Sequence, residues 1–156
     1  MKNMKKIITI LCFCLGMFTT TSCLKSNLDE LPTYEECDIL NFNFEYRWFS
    51  DTLNHLVVTT LDTKTVIDNS TLTITCDITV PSNKSTLPDS VRTNVSLKNI
   101  VGYCDVSPAA IISPMDDAPM LGDIQDFSGD NIQYYVQAAD GSSKIWTLKI
   151  NSFNNN

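Results

Sequence analysis

Residues 39–49 read Ile-Leu-Asn-Phe-Asn-Phe-Glu-Tyr-Arg-Trp-Phe, and their alternation constrains the fold more than any other feature of the chain. Leu40, Phe42, Phe44, Tyr46 and Trp48 fall on one side of an extended backbone, while Asn41, Asn43, Glu45 and Arg47 fall on the other. A period of two belongs to a half-buried strand, because successive strand side chains point to opposite faces. A helix would scatter the same rings around its axis and leave no apolar stripe.

The pattern recurs along the chain. In residues 71–80, Leu72, Ile74, Cys76, Ile78 and Val80 alternate with threonines and Asp77, and Pro81 ends the run because proline donates nothing to a ladder. Residues 55–61 form a β-branched run, and Asp62-Thr63-Lys64 reads as a turn into Thr65-Val66-Ile67. Further strands are expected at 95–101, 103–106 and 109–112, with loops at 82–94 and 114–130. In 131–138, Ile132, Tyr134, Val136 and Ala138 share a face; in 144–151, Trp146, Leu148 and Ile150 do. Asp140-Gly141 between them favours the positive φ of a hairpin turn. About seven short strands over residues 37–152, with almost no helical period, predict an all-β chain. The expected architecture is an antiparallel immunoglobulin-like β-sandwich, with a small β-barrel as the alternative. Residues 153–156 are expected to be a disordered tail.

The first 22 residues follow a different pattern. Lys2, Lys5 and Lys6 precede an uncharged, largely apolar run from Ile7 to Phe18, which is too short for a permanent span of about 20 residues. Small residues, Thr19 to Ser22, then lead to Cys23. A small residue and a cysteine just after such a run resemble the lipobox of bacterial lipoproteins, although Thr20 stands where that family usually has leucine. The resemblance implies cleavage before Cys23 and acylation of its thiol and amine. Residues 24–36, polar and containing Pro32, then read as a tether with Cys23 at its head. Each buried methylene of the acyl chains contributes about 0.8 kcal/mol, so the lipid bilayer is the first expected partner.

Processing there changes the bookkeeping. The chain of 156 residues has a formal net charge of −7; without residues 1–22 it keeps 8 basic against 18 acidic groups, a net of −10. Such acidity argues against nucleic-acid binding, which wants clustered positive charge. Cys12 and Cys14 leave with the signal and Cys23 is acylated, so Cys37, Cys76 and Cys104 remain in the body. Cys76 and Cys104 both fall on inward faces by the period-2 count; buried free thiols are the favoured reading, with a Cys76–Cys104 disulfide as the alternative.

Further motifs lie in the second half. Ser107-Pro108-Ala109-Ala110-Ile111-Ile112-Ser113-Pro114 comes first, followed by Asp126-Phe127-Ser128. Tyr134-Tyr135-Val136-Gln137-Ala138-Ala139-Asp140-Gly141 and Trp146-Thr147-Leu148-Lys149-Ile150 close the series. This order resembles Bacteroidetes cell-envelope lipoproteins of unknown function that carry immunoglobulin-like or cadherin-like sandwiches. The chain departs at Ala109, where that group often has glycine, and at Ala139, where it often has glutamate. The resemblance implies a lipid-anchored envelope protein, expected at the outer membrane and associated with glycan handling. It brings no catalytic motif.

Most conspicuous rings fall on inward faces, where large aromatics are ordinary core. Tyr135 and Phe49 point the other way and are the candidate ligand or partner contacts. The acids Asp116, Asp117, Asp123, Asp126 and Asp130 lack any calcium-loop spacing and read as turn formers in a solvated loop. His55, the single histidine, has no marked nucleophile beside it and reads as an edge residue. Asp51-Thr52-Leu53 and Asp89-Ser90-Val91 resemble a short bacterial O-glycosylation sequon. The functional expectation is a non-catalytic binding or accessory module for a glycan or protein ligand, without cofactor or metal. The alternative is a structural or adhesive subunit of the envelope.

Overall fold

The aromatic stripe becomes β1 (Ile39–Ser50) in the computed structural model, which describes residues 33–82 and 84–155. The expected signal peptide and the acylated Cys23 lie outside those residues. The other elements are β2 (His55–Thr60), β3 (Asp62–Asp68), β4 (Thr73–Thr79), a single helical turn α1 (Asp89–Arg92), β5 (Ile100–Val106), β6 (Ile111–Pro114), β7 (Ile124–Gln125), β8 (Ile132–Gln137) and β9 (Ser143–Asn154). One sheet has the order β2-β1-β5-β7 and the other β3-β4-β9-β8-β6. They face each other as a β-sandwich, and no barrel closes.

Phe42, Phe44, Ile74, Cys76, Ile78, Tyr134, Val136, Trp146 and Leu148 are fully buried between the sheets. Alternation places every one of them inward. Phe42 and Phe44 lie 5.3 Å apart between ring centroids, and Phe44 meets Phe127 edge-on at 5.2 Å. Gly102 sits opposite Phe44 on β5, where an added Cβ would come within 2.6 Å of the Phe127 ring. A side chain there and the ring cannot share the space.

Several expectations are corrected. Leu40 is exposed and Ile39 takes the inward position, because the pairing with β5 skips a residue between Ile39 and Asn41. Such a bulge flips the phase of everything before it. Asp62-Thr63-Lys64 is not a turn but the start of β3. The chain passes from one sheet to the other at Leu61, whose N–H still bonds Phe44 O at 2.9 Å. Residues 95–99 form a turn held by Asn99 Oδ1, which accepts from Ser96 N at 2.9 Å, so β5 starts only at Ile100. The 82–94 segment contains α1. The strands number more than seven, and one pair is parallel: β4 runs alongside β9. Phe153 and Asn154, expected in a disordered tail, are the last residues of β9 and pair with Ile78 and Thr79. The last residues of the expected tether are also held. Tyr34 O accepts from Asp140 N at 3.2 Å, and Glu35 O from Ser142 Oγ at 2.9 Å.

The alternative Cys76–Cys104 disulfide does not form: Cys37, Cys76 and Cys104 are free thiols, as the favoured reading of their burial had it. Cys76 is on β4 and Cys104 on β5, in opposite sheets. Cys76 Sγ meets Thr65 Oγ1 at 3.6 Å, whereas Cys104 stands across from Phe42, whose ring lies 5.9 Å from that of Tyr134. Phe42 and Tyr134 occupy the core beside Cys104. Burial pushes both thiols up to about 11, so they are poor nucleophiles.

Candidate functional site

Phe49 and Tyr135 do not form one site. Phe49 is exposed on the outer face of the first sheet, beside Leu56 across the β1–β2 pair. Tyr135 is half-buried on the outer face of the second sheet, between Ser113 and Ile145. The whole sandwich separates them. The acids of 116–130 do not converge. Asp126 Oδ1 accepts from Ser128 N at 2.8 Å and Ser128 Oγ at 2.6 Å, and no cluster of three potential metal ligands forms among the described residues.

The arrangement that can hold a ligand lies where β1 ends. A cleft of about 460 Å³ opens between the β1–β2 hairpin and the segment before α1. Trp48, Ser50, Thr52, Leu53, His55 and Val57 contribute from the hairpin, and Ser85, Thr86 and Pro88 from the opposite wall. Trp48 is the last residue of the aromatic stripe. It lies so near the turn that the core no longer covers it completely. Its Nε1 donates to Thr86 O at 3.0 Å, and Thr59 Oγ1 donates to the same oxygen at 2.9 Å. Those bonds tie the two walls together.

The hairpin tip is built locally. Asn54 adopts a φ of 51°, a left-handed conformation that asparagine tolerates better than most residues. Ser50 is buried, and its Oγ accepts from Leu53 N at 3.3 Å. His55 Nδ1 lies 3.1 Å from Leu53 O. A carbonyl oxygen can only accept, so Nδ1 carries the proton in that bond, and in the matching tautomer Nε2 is the acceptor that faces outward. Two other depressions are lined by mixed charges: Asp62, Lys64 and Asp77 in one of about 600 Å³, and Asp130 and Lys149 in one of about 470 Å³. Among the described residues, no Asp, Glu, Lys or Arg lines the hairpin cleft. Sequence reasoning noticed His55 but not this site, because its walls come from segments about thirty residues apart.

Residues 39–149 match the profile of one family, described as DUF5018-related. The chain belongs to that family. Among solved structures, the chain is similar to a Bacteroides fragilis NCTC 9343 protein described as a "putative secreted protein". It is 32% identical, with a TM-score of 0.69, and the match covers 79% of this chain and 99% of that one. No curated protein matches. The DUF5018-related match includes the hairpin and its cleft, and the link to Bacteroidetes agrees with the resemblance drawn from the 107–150 motifs.

Proposed function

We propose that the chain is a cell-envelope lipoprotein, anchored at the outer membrane through acylated Cys23, whose immunoglobulin-like sandwich serves as a non-catalytic binding or accessory module. The carrying observation is the hairpin cleft: a preformed concavity with an aromatic wall and convergent polar groups, the usual form of a small-ligand site. The Bacteroides neighbour described as secreted supports an extracellular or envelope location. The cysteine placed just after an apolar leader supports the anchor. Glycans are the expected ligand class. Calorimetry of residues 24–156 against polysaccharides tests the binding, with silence toward all of them counting against a glycan. Cys23→Ser tests the anchor: the protein should leave the membrane fraction, and retention in processed form would contradict lipidation.

A second reading, a structural or adhesive subunit, is favoured by β2. This edge strand carries no Asp, Glu, Lys, Arg or Pro and exposes Leu56 and Val58, whereas β3 carries Asp62, Lys64 and Asp68, β6 ends on Pro114, and β7 has two residues. Those are devices that discourage strand addition, and β2 lacks them. Cross-linking in cells followed by mass spectrometry separates the readings, since a structural subunit should return a constant protein partner.

A further inference from the structure

We infer that the hairpin cleft takes an uncharged saccharide end, with a sugar ring against the Trp48 indole and ring hydroxyls bonded to His55 Nε2 and the Thr52, Ser85 and Thr86 side chains. The inference rests on the binding-module reading and specifies its site and ligand. A cleft of about 460 Å³ falls in the size range of small-ligand sites.

The lining chemistry selects within that range. With no charged side chain among the described residues of its walls, the cleft would leave a carboxylate, sulfate or ammonium group desolvated and without a counter-charge. The net charge of −7 adds a long-range field that repels polyanions. A purely aliphatic ligand is disfavoured for the opposite reason, because it would bury the wall hydroxyls and the imidazole unpaired. Hydroxyl groups both donate and accept, as the cleft's serines and threonines do, and His55 adds an acceptor. A sugar ring combines such hydroxyls with an apolar C–H face suited to an indole. The walls are preorganised by the two hydrogen bonds to Thr86 O, so little ordering is needed when a ligand enters.

Trp48 also supplies the readout. The chain has two tryptophans, and Trp146 is fully buried, so a ligand that changes tryptophan emission reports on Trp48. Full-length protein in detergent is titrated with uncharged oligosaccharides (malto-, cello-, xylo- and manno-hexaose), acidic ones (oligogalacturonate and heparin fragments) and a mixed peptide library. The expected result is an emission change with at least one uncharged saccharide. Affinity for it should fall at least tenfold in Ser85→Phe, which fills the cleft from an exposed position without adding a tryptophan, and about fivefold in His55→Ala. Val66→Ala, exposed on β3 of the other sheet, should leave it unchanged. Circular dichroism confirms that each variant is folded, and His55→Ala carries the test if Ser85→Phe is not. Binding that survives both cleft variants overturns the site and leaves the binding-module reading standing. Binding confined to acidic oligosaccharides or to peptides overturns the ligand class. Silence toward every class overturns this inference and the binding-module reading together.

Discussion

Gly102 has no room for a methyl group. An added Cβ would stand 2.6 Å from Phe127 Cζ and 3.3 Å from Phe42 Cε1, and the Phe127 ring is itself held edge-on by Phe44. Gly102→Ala should cost about 1–3 kcal/mol in urea denaturation, with part recovered by Phe127→Leu in the same chain. Ala109 has the opposite problem: its φ of 61° places a Cβ where glycine would be unstrained. Ala109→Gly should raise stability by about 0.5–1 kcal/mol, the left-handed penalty less the added chain entropy, read from the shift in denaturation midpoint. Asp68 gives a pH signature. Hydrogen bonds from Ser70 first, then Thr71, lower its carboxyl to about 2 from the ordinary 3.8. A lowered folded value stabilises above the ordinary carboxylate range and is lost as pH falls toward 2. Scanning calorimetry should therefore show the melting temperature falling between pH 4 and 2, less steeply in Asp68→Asn. Residues of this kind were partly legible in the sequence. Alternation found Phe42 and Trp146 because their strands keep strict phase. It misplaced Leu40 because a bulge leaves no mark in the residue pattern.

Strands with five or more alternating residues could be read from the chain alone. β4, β8 and β9 were legible, as was the hairpin through Gly141, whose φ is 93°. β7 has two residues and therefore no period, and the passage from β2 to β3 happens inside a continuous extended run. The parallel pairing of β4 with β9 was also beyond local reading, since it joins residues more than seventy apart. That pairing makes the C-terminus structural. Ser152 Oγ donates to Asp77 Oδ1 at 2.7 Å, Val80 N bonds Asn154 O at 2.8 Å, and Asn155 Nδ2 donates to Val95 O at 2.9 Å. Three such bonds contribute about 1 kcal/mol each. Deleting residues 152–156 should cost on the order of 3 kcal/mol, measured by urea denaturation, whereas removal of a frayed tail would cost nothing.

At the scale of the molecule, the cysteines test the architecture. Cys76 and Cys104 lie in opposite sheets with their thiols pushed up to about 11, and Cys37 is buried at the first residues of the sandwich. At pH 8, a thiol reagent should react slowly with folded residues 24–156 and quickly with three thiols after guanidinium is added. A count of one after unfolding would mean a disulfide. The sandwich itself was legible because fold class follows from period. The cleft was not, because two loops distant in sequence build it and neither has a pattern of its own. The two ends of the sandwich carry different duties. Trp146 Nε1 bonds Cys37 O at 3.1 Å, and Asp38 pairs with Lys144, so the chain enters at the near end of β1. Trp48 lies nine residues along β1 from Ile39, about 30 Å, and His55 pairs with Ser50 at the far end. A ligand gripped there and an anchor on the entering chain would pull β1 along its own axis. Its ladders with β2 and β5 would then be loaded in shear, many hydrogen bonds at once, rather than unzipped one by one. Tension between such a ligand and such an anchor would then meet the ladders in the direction they resist best.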